Sequence, residues 1–173
     1  MSYYRAENIL PLCSLTALKD YVCTASDRFE SANVIPYRPG FRMATVLHSP
    51  ILPEGIASII EKHIGLAAIA LDLPNCSISE TQITRTPNGG YFKKHTDNTV
   101  NKERVLSYVF YFGGPVAGGE LCLEFPENPV TIAPCNNSIV VFPSDVPHEV
   151  LPVVCGDGFM AARFTVNGWI SQL

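Results

Sequence analysis

The sequence predicts a mainly β protein, a double-stranded β-helix or jelly-roll core over about residues 75–173, braced by two helices within about residues 1–74. Two observations carry this expectation. Apolar residues recur at helical spacing only before Pro74, and after it they fall into eight short runs broken by glycine and proline. With 173 residues, 47% hydrophobic and 16% charged, the chain has material for one buried core, so residues 1–173 are read as a single domain.

From Ser14 to about Phe29 the apolar positions Leu15, Leu18, Tyr21 and Val22 form a helical stripe, opened by a serine suited to capping. The stretch from Val34 to Leu47 is broken at Pro36 and Pro39-Gly40, and its half from Arg42 to Leu47 reads as a strand. Pro53 opens a second helix, with Ile56, Ile59, Ile60, His63 and Ile64 on its apolar face and Pro74 as its stop. The expected strands then run over 78–86, 91–95, 105–112, 120–125, 130–133, 138–142, 149–153 and 160–170. Between them lie the turns Pro87-Asn88-Gly89-Gly90, Gly113-Gly114-Pro115, Gly118-Gly119, 126–129, 134–137 and Gly156-Asp157-Gly158.

A net charge of -4 without a long basic run supplies no electrostatic reason for a nucleic-acid or anionic-membrane partner. The start lacks the apolar segment of a signal peptide, and the richest apolar stretch, Ile64 to Leu73, is too short to cross a bilayer. The expectation is a cytoplasmic protein. Its six cysteines show no C-x-x-C spacing, which favours reduced thiols over a disulfide frame or a zinc knuckle.

The chemistry concentrates in His95, Asp97 and His148, an H-x-D pair followed by a distant histidine. Two imidazoles and a carboxylate can cap one face of an octahedral iron(II) ion and leave three adjacent positions open. Strand alternation places His95 and Asp97 on one side, with Lys93 and Tyr91 sharing the face of His95. In the last strand Arg163, Thr165 and Asn167 share one face while Phe164 and Val166 take the other. Tyr111, on the inward face with Ser107 and Val109, can meet Arg163 across the roll. Together a guanidinium and a phenol suit a carboxylate. Read from the residues alone, Arg163 is also open to a structural acid such as Glu120 or Glu124, Tyr111 to core packing, and the histidines and Asp97 to ordinary turn roles. His48 and His63 read as structural.

Several segments together resemble the iron(II)- and 2-oxoglutarate-dependent dioxygenases, within them the prolyl-4-hydroxylase-like branch. They are Gly90 to Asn98, Arg104 to Phe112, Gly118-Gly119-Glu120-Leu121, Val141-Phe142-Pro143, His148 to Val153 and Arg163 to Trp169, spanning about 82–170. H-x-D alone is weak; its coupling to H-x-V-x-P-V, G-G-E-L and a final R-x-T strand is specific. The resemblance implies that His95, Asp97 and His148 bind iron and that Arg163, with Tyr111 and Thr165, holds the distal carboxylate of 2-oxoglutarate. It implies dioxygen as the oxidant, with ascorbate as a candidate reductant. Trp169 resembles a tryptophan near the buried end of the pocket. Two features depart from the pattern. Around Arg85 and Thr86 there is no tyrosine of the kind many relatives carry, and the turn from Val154 to Phe159 is longer than in the oxygen-sensing prolyl hydroxylases.

The implied activity is hydroxylation, or a related desaturation, of an unactivated C–H bond, with release of succinate and carbon dioxide. Asp97 argues against halogenation, because chloride-binding relatives carry a small residue there. Lys93 and Arg85 are the expected substrate contacts, with Trp169, at a locally basic mouth. The segment from Ile35 to Val46 is a candidate lid. Short connections between strands favour a small-molecule substrate, an amino acid or natural-product intermediate, over a polypeptide; a protein prolyl hydroxylase is the alternative. A DNA-alkyl demethylase is disfavoured, because a basic footprint for phosphates is lacking. Two readings from other classes are a non-oxidative metal-binding jelly roll, since the same ligands suit zinc, and a silent ligand-binding module.

Overall fold

The computed structural model describes residues 2–73, 75–114 and 116–172. Pro74, the expected helix stop, and Pro115 of the expected Gly-Gly-Pro turn lie outside the described residues. Helix α1 spans Leu12–Thr24 and α2 spans Ile56–Ala70. The first starts at Pro11, in an extended conformation and with no side-chain cap, so Ser14 sits inside the first turn rather than before it. It ends well before Phe29, in a short 3-10 turn over Ser26–Arg28. The second starts later than Pro53, because Pro53, Glu54 and Gly55 form a turn in which Ile56 N–H donates to the Pro53 carbonyl at 3.2 Å. His63 meets the Tyr4 hydroxyl through Nδ1 at 2.9 Å, a structural contact as expected.

The strands are β1 (Tyr4–Glu7), β2 (Glu30–Ser31), β3 (Thr45–His48), β4 (Cys76–Thr86), β5 (Phe92–His95), β6 (Arg104–Tyr111) and β7 (Ala117–Gly118), followed by β8 (Leu121–Leu123), β9 (Val130–Ile132), β10 (Ser138–Pro143), β11 (His148–Val150), β12 (Val153–Val154) and β13 (Arg163–Gln172). The major sheet has the order β1-β10-β6-β13-β4-β3-β2, and the minor sheet β5-β11-β8-β9. The jelly roll is therefore present, with more strands than the expected eight. The stretch 149–153 is divided: β11 joins the minor sheet and β12 pairs with β7 in a two-stranded sheet, with Pro152, which lacks an N–H for the ladder, between them. The early strand β1 was not legible because it is short and carries Arg5 and Glu7 outward, the pattern of a charged edge.

Alternation divides the major sheet into two working faces. Leu106, Phe110, Ile139, Val141, Phe164, Val166 and Ile170 pack against Leu15, Leu18 and Val22 of α1 and Ile56, Ile60 and Ile64 of α2. Each such side chain, taken fully from water, contributes about 1.5–3 kcal/mol. On the opposite face Tyr111, Val140 and Phe142 meet Leu121, Leu123 and Ile132 of the minor sheet. The helices thus hold one side of the sheet, which frees the polar residues of β6 and β13 to face the space between the sheets. All six cysteines are unpaired, and no helix among the described residues is long and apolar enough to cross a membrane.

Candidate metal centre

Strands β11 and β5 pair antiparallel with His148 directly across from His95, and the two rings have centroids 4.2 Å apart. Asp97 follows in the turn, where its N–H donates to the Ser144 carbonyl at 2.9 Å and its own carbonyl accepts from Arg104 Nη1 at 3.2 Å. The turn after β5 is thereby tied to the loop that leads into β11. Asp97 Oδ1 lies 3.5 Å from His95 Nε2 and Oδ2 lies 3.4 Å from His148 Nε2, and the three ligand atoms all fall within 4.8 Å of one another.

The surroundings orient all three for a metal. His95 Nδ1 is 2.8 Å from the Lys93 carbonyl and His148 Nδ1 is 2.9 Å from that of Val146; donating there leaves each Nε2 with a free lone pair. Ser107 donates to Asp97 Oδ2 at 2.6 Å and is itself 2.9 Å from Ser144 Oγ. Burial opposes charge on Asp97, yet His148 and His95 beside it hold its carboxyl well below the usual range. The imidazoles move in opposite directions. Burial pushes His95 down, with His148 adding to the fall, whereas His148 is raised despite burial because it takes the stronger attraction of Asp97. Asp97 thus favours positive charge beside the two Nε2 atoms, the place a bound cation would take.

The three donors open onto a cavity of about 70 Å³ between the sheets, several times the roughly 10–15 Å³ that one water needs. Arg163, Thr165, Asn167 and Trp169 of β13 line it, as alternation along the strand requires. Arg163 is buried. Its Nη2 donates to the Tyr111 hydroxyl at a long 3.4 Å, its guanidinium carbon stands 4.9 Å from the Tyr111 ring centre, and its Nε has no partner among the described residues. Neither Glu120 nor Glu124 takes it, and Glu124 pairs with Lys94 instead. A buried guanidinium with an orphaned N–H suits an incoming carboxylate. The G-G-E-L motif builds this position: Gly118 and Gly119 have φ of 66° and 67°, and a Cβ on Gly119 would meet Arg163 Cδ at 2.9 Å.

Of the three expected substrate contacts, Lys93 and Arg85 are placed outside the cavity and Trp169 lines it at a different end. Lys93 is exposed and points toward the Tyr91 ring, outside the cavity. The β5–β11 register shifts between His148 and Val150, so that Phe92 opposes Val150 while His95 opposes His148. This bulge breaks the period of two and turns Phe92, not Lys93, toward the site. Arg85 faces away between Thr84 and Thr86, donating to the carbonyls of Phe159 at 2.7 Å and Gly158 at 3.1 Å. Trp169 does line the cavity, but it is half-buried on the metal side, opposite Ser107 and under the Arg104 guanidinium at 3.8 Å, rather than at the buried end.

Residues not foreseen for the site are Arg42, Phe92 and Thr84, while Ser107 is on the expected inward face with an unforeseen role, its bond to Asp97. Asn167 was placed on the correct face without a role; its Oδ1 accepts from Thr84 Oγ1 at 2.8 Å and Thr165 Oγ1 at 3.1 Å. Arg42 lies in a segment broken by proline and glycine, where no periodicity could point to a cavity. Burial, opposed by Asp97 and reinforced by Arg163, lowers its pKa to about 10, so it stays charged at neutral pH.

The family model described as the 2OG-Fe(II) oxygenase superfamily matches residues 81–171, a span that contains all three donors and Arg163. The chain belongs to the 2OG-Fe(II) oxygenase superfamily. Membership implies iron(II), 2-oxoglutarate and dioxygen, and the two-imidazole, one-carboxylate donor set with an unpaired buried arginine fits them. An uncharacterized PKHD-type hydroxylase of Synechocystis is 41% identical over 109 residues, covering 54% of this chain and 36% of that protein. The oxygenase chain thus spans little more than a third of that curated relative. Among solved structures, a prolyl-4-hydroxylase of Pseudomonas putida superposes with a TM-score of 0.76 at 20% identity, covering 99% of this chain and 92% of the other. A non-heme alpha ketoglutarate dependent epimerase from nogalamycin biosynthesis gives 0.72 at 12% identity, with 98% and 77% covered. These two likenesses concern the jelly-roll fold.

Proposed function

We propose that this chain is an iron(II)- and 2-oxoglutarate-dependent dioxygenase that hydroxylates an unactivated C–H bond of a small molecule, an amino acid or a natural-product intermediate. The observation that carries the reading is a buried, unpaired Arg163 opening onto the same cavity as His95, Asp97 and His148. In it the two Nε2 atoms and the Asp97 carboxylate would hold iron, while Arg163, with the Tyr111 hydroxyl and Thr165 beside it, would take the distal carboxylate of 2-oxoglutarate. When bound, these groups couple loss of carbon dioxide to dioxygen reduction, one oxygen atom ending in succinate and the other in the substrate. With Asp97 as a carboxylate donor, the site would favour oxygen transfer over halide transfer. Phe92, Phe142 and Val150 give the cavity an apolar wall.

The likeness to a prolyl-4-hydroxylase supports a second reading, a prolyl side chain of a protein as substrate. Anaerobic titration of the apo-protein with iron(II) and 2-oxoglutarate tests the first step, with a weak visible charge-transfer band expected. Succinate release is then measured against metabolites and proline-containing peptides in parallel. Stimulation by peptides alone would establish the second reading, and absence of both band and succinate would overturn the oxygenase assignment.

A further inference from the structure

The cavity holds a second guanidinium that the iron and co-substrate roles leave unused. Arg42 shares its wall with Arg163, Asp97 and both histidines. Its backbone is docked on the minor sheet: Arg42 bridges Phe92, Lys93 N–H donates to the Phe41 carbonyl at 3.0 Å, and Met43 N–H donates to that of Tyr91 at 2.9 Å. The guanidinium carbon lies 4.6 Å from the centre of the Phe92 ring, and that ring stacks on His95 at 3.6 Å and 22°. Toward the major sheet, Arg42 Nη2 donates to Thr84 Oγ1 at 3.2 Å. Arg42 therefore bridges the two sheets, one aromatic layer from a metal donor.

Neither neighbour supplies negative charge. The Thr84 hydroxyl already donates to Asn167, and the ion pairs among the described residues involve Arg5, Lys94, Arg104 and the two metal-site histidines, not Arg42. On the cavity wall two guanidinium charges face a single carboxylate, that of Asp97. A divalent ion raises the positive excess, and the two carboxylates of 2-oxoglutarate leave one charge uncompensated. A desolvated cation of this kind is stabilised by a matching anion.

Resting on the oxygenase reading above, we propose that Arg42 is a substrate-binding residue that takes the carboxylate of the molecule to be oxidised, which makes the substrate a small carboxylic acid. The planar guanidinium, held against Phe92 and Thr84, presents its remaining N–H groups as a fork for that carboxylate.

The test uses the manganese(II)-loaded protein saturated with 2-oxoglutarate without oxygen, and reads binding from Trp169, the one tryptophan of the chain and part of the cavity wall. The probes are L-proline, L-leucine and L-phenylalanine, each beside its carboxamide. At least one acid is expected to bind about tenfold or more tighter than its amide. Arg42→Gln should erase that preference while leaving 2-oxoglutarate affinity within about twofold, and Arg42→Lys, which keeps the charge, should restore part of it. If wild type binds 2-oxoglutarate but no acid of the panel, or acid and amide alike, the role of Arg42 falls alone. Loss of 2-oxoglutarate affinity in Arg42→Gln would likewise overturn it, placing Arg42 on the co-substrate. Failure of the wild type to bind 2-oxoglutarate at all would remove the oxygenase reading itself.

Discussion

Ser107 donates its hydroxyl to Asp97 Oδ2 at 2.6 Å, so the carboxylate of the candidate metal centre, in the turn after β5, is oriented by a buried residue of the major sheet. A ligand held in this way keeps its oxygens aimed at the ion. Ser107→Ala is expected to weaken iron(II) affinity by about 10–100-fold with the fold intact. Competition titration with a chromogenic chelator measures it. An unchanged affinity would mean that the Ser144 carbonyl, through the Asp97 backbone, suffices to hold the turn.

Arg163 depends on Gly119 in a similar way. Arg163→Gln should raise the dissociation constant of 2-oxoglutarate by about tenfold or more, through loss of a charge-assisted contact, and leave metal affinity unchanged. Gly119→Ala should reproduce part of this effect indirectly. A left-handed backbone at φ of 67° costs a β-carbon roughly 1–2 kcal/mol, and that carbon would press on Arg163 Cδ at 2.9 Å. Calorimetric titration of 2-oxoglutarate into both variants, with denaturant unfolding of the second, separates strain from lost contact.

Ile60 lies on α2, fully buried against the face of the major sheet that turns away from the cavity. Ile60→Ala is expected to cost about 2–5 kcal/mol of stability through the void it leaves. Metal affinity should not change, since the sheet stands between the two regions. Urea unfolding and metal titration on the same sample check both parts, and a parallel loss of metal affinity would contradict the division of labour between the faces.

His63, near the Tyr4 hydroxyl, has its pKa lowered from the ordinary 6.5, first by burial and then by Lys62. The folded state therefore favours the neutral ring. Between the lowered folded value and 6.5 the unfolded chain binds more protons, so this contribution to stability is complete above 6.5 and is lost as pH falls through the folded pKa. His63→Gln should flatten that part of the stability profile relative to wild type. Unfolding midpoints measured across mildly acidic to neutral pH give the comparison; parallel profiles would show that His63 titrates alike in both states.

The clustering of His95, Asp97 and His148, and the burial of Arg163, were legible from sequence because each is tied to a short local motif on a strand or at its end. Alternation along β13 correctly separated Arg163, Thr165 and Asn167 from Phe164 and Val166, since that strand is continuous over Arg163–Gln172. The same rule failed at Lys93. The bulge between β5 and β11 adds a residue on one side of the ladder, and each residue past it changes face. Arg85 was read into a basic mouth from its nearness in sequence to Lys93, whereas alternation along β4 turns Thr84 and Thr86 to the cavity and Arg85 outward to the carbonyls of Gly158 and Phe159.

By itself the sequence pointed to the jelly-roll class through its periods and turns, and to His95, Asp97 and His148 as candidate donors and Arg163 as a buried cation through the motifs that together resemble the family. Only the tertiary structure decided that Arg42 enters the cavity, that Phe92 lies between it and His95, and that Ser107 steers Asp97. Those relationships join residues of different sheets or of an irregular segment. Their positions depend on how far the sheets stand apart and where a ladder bulges, quantities set by packing across the whole core.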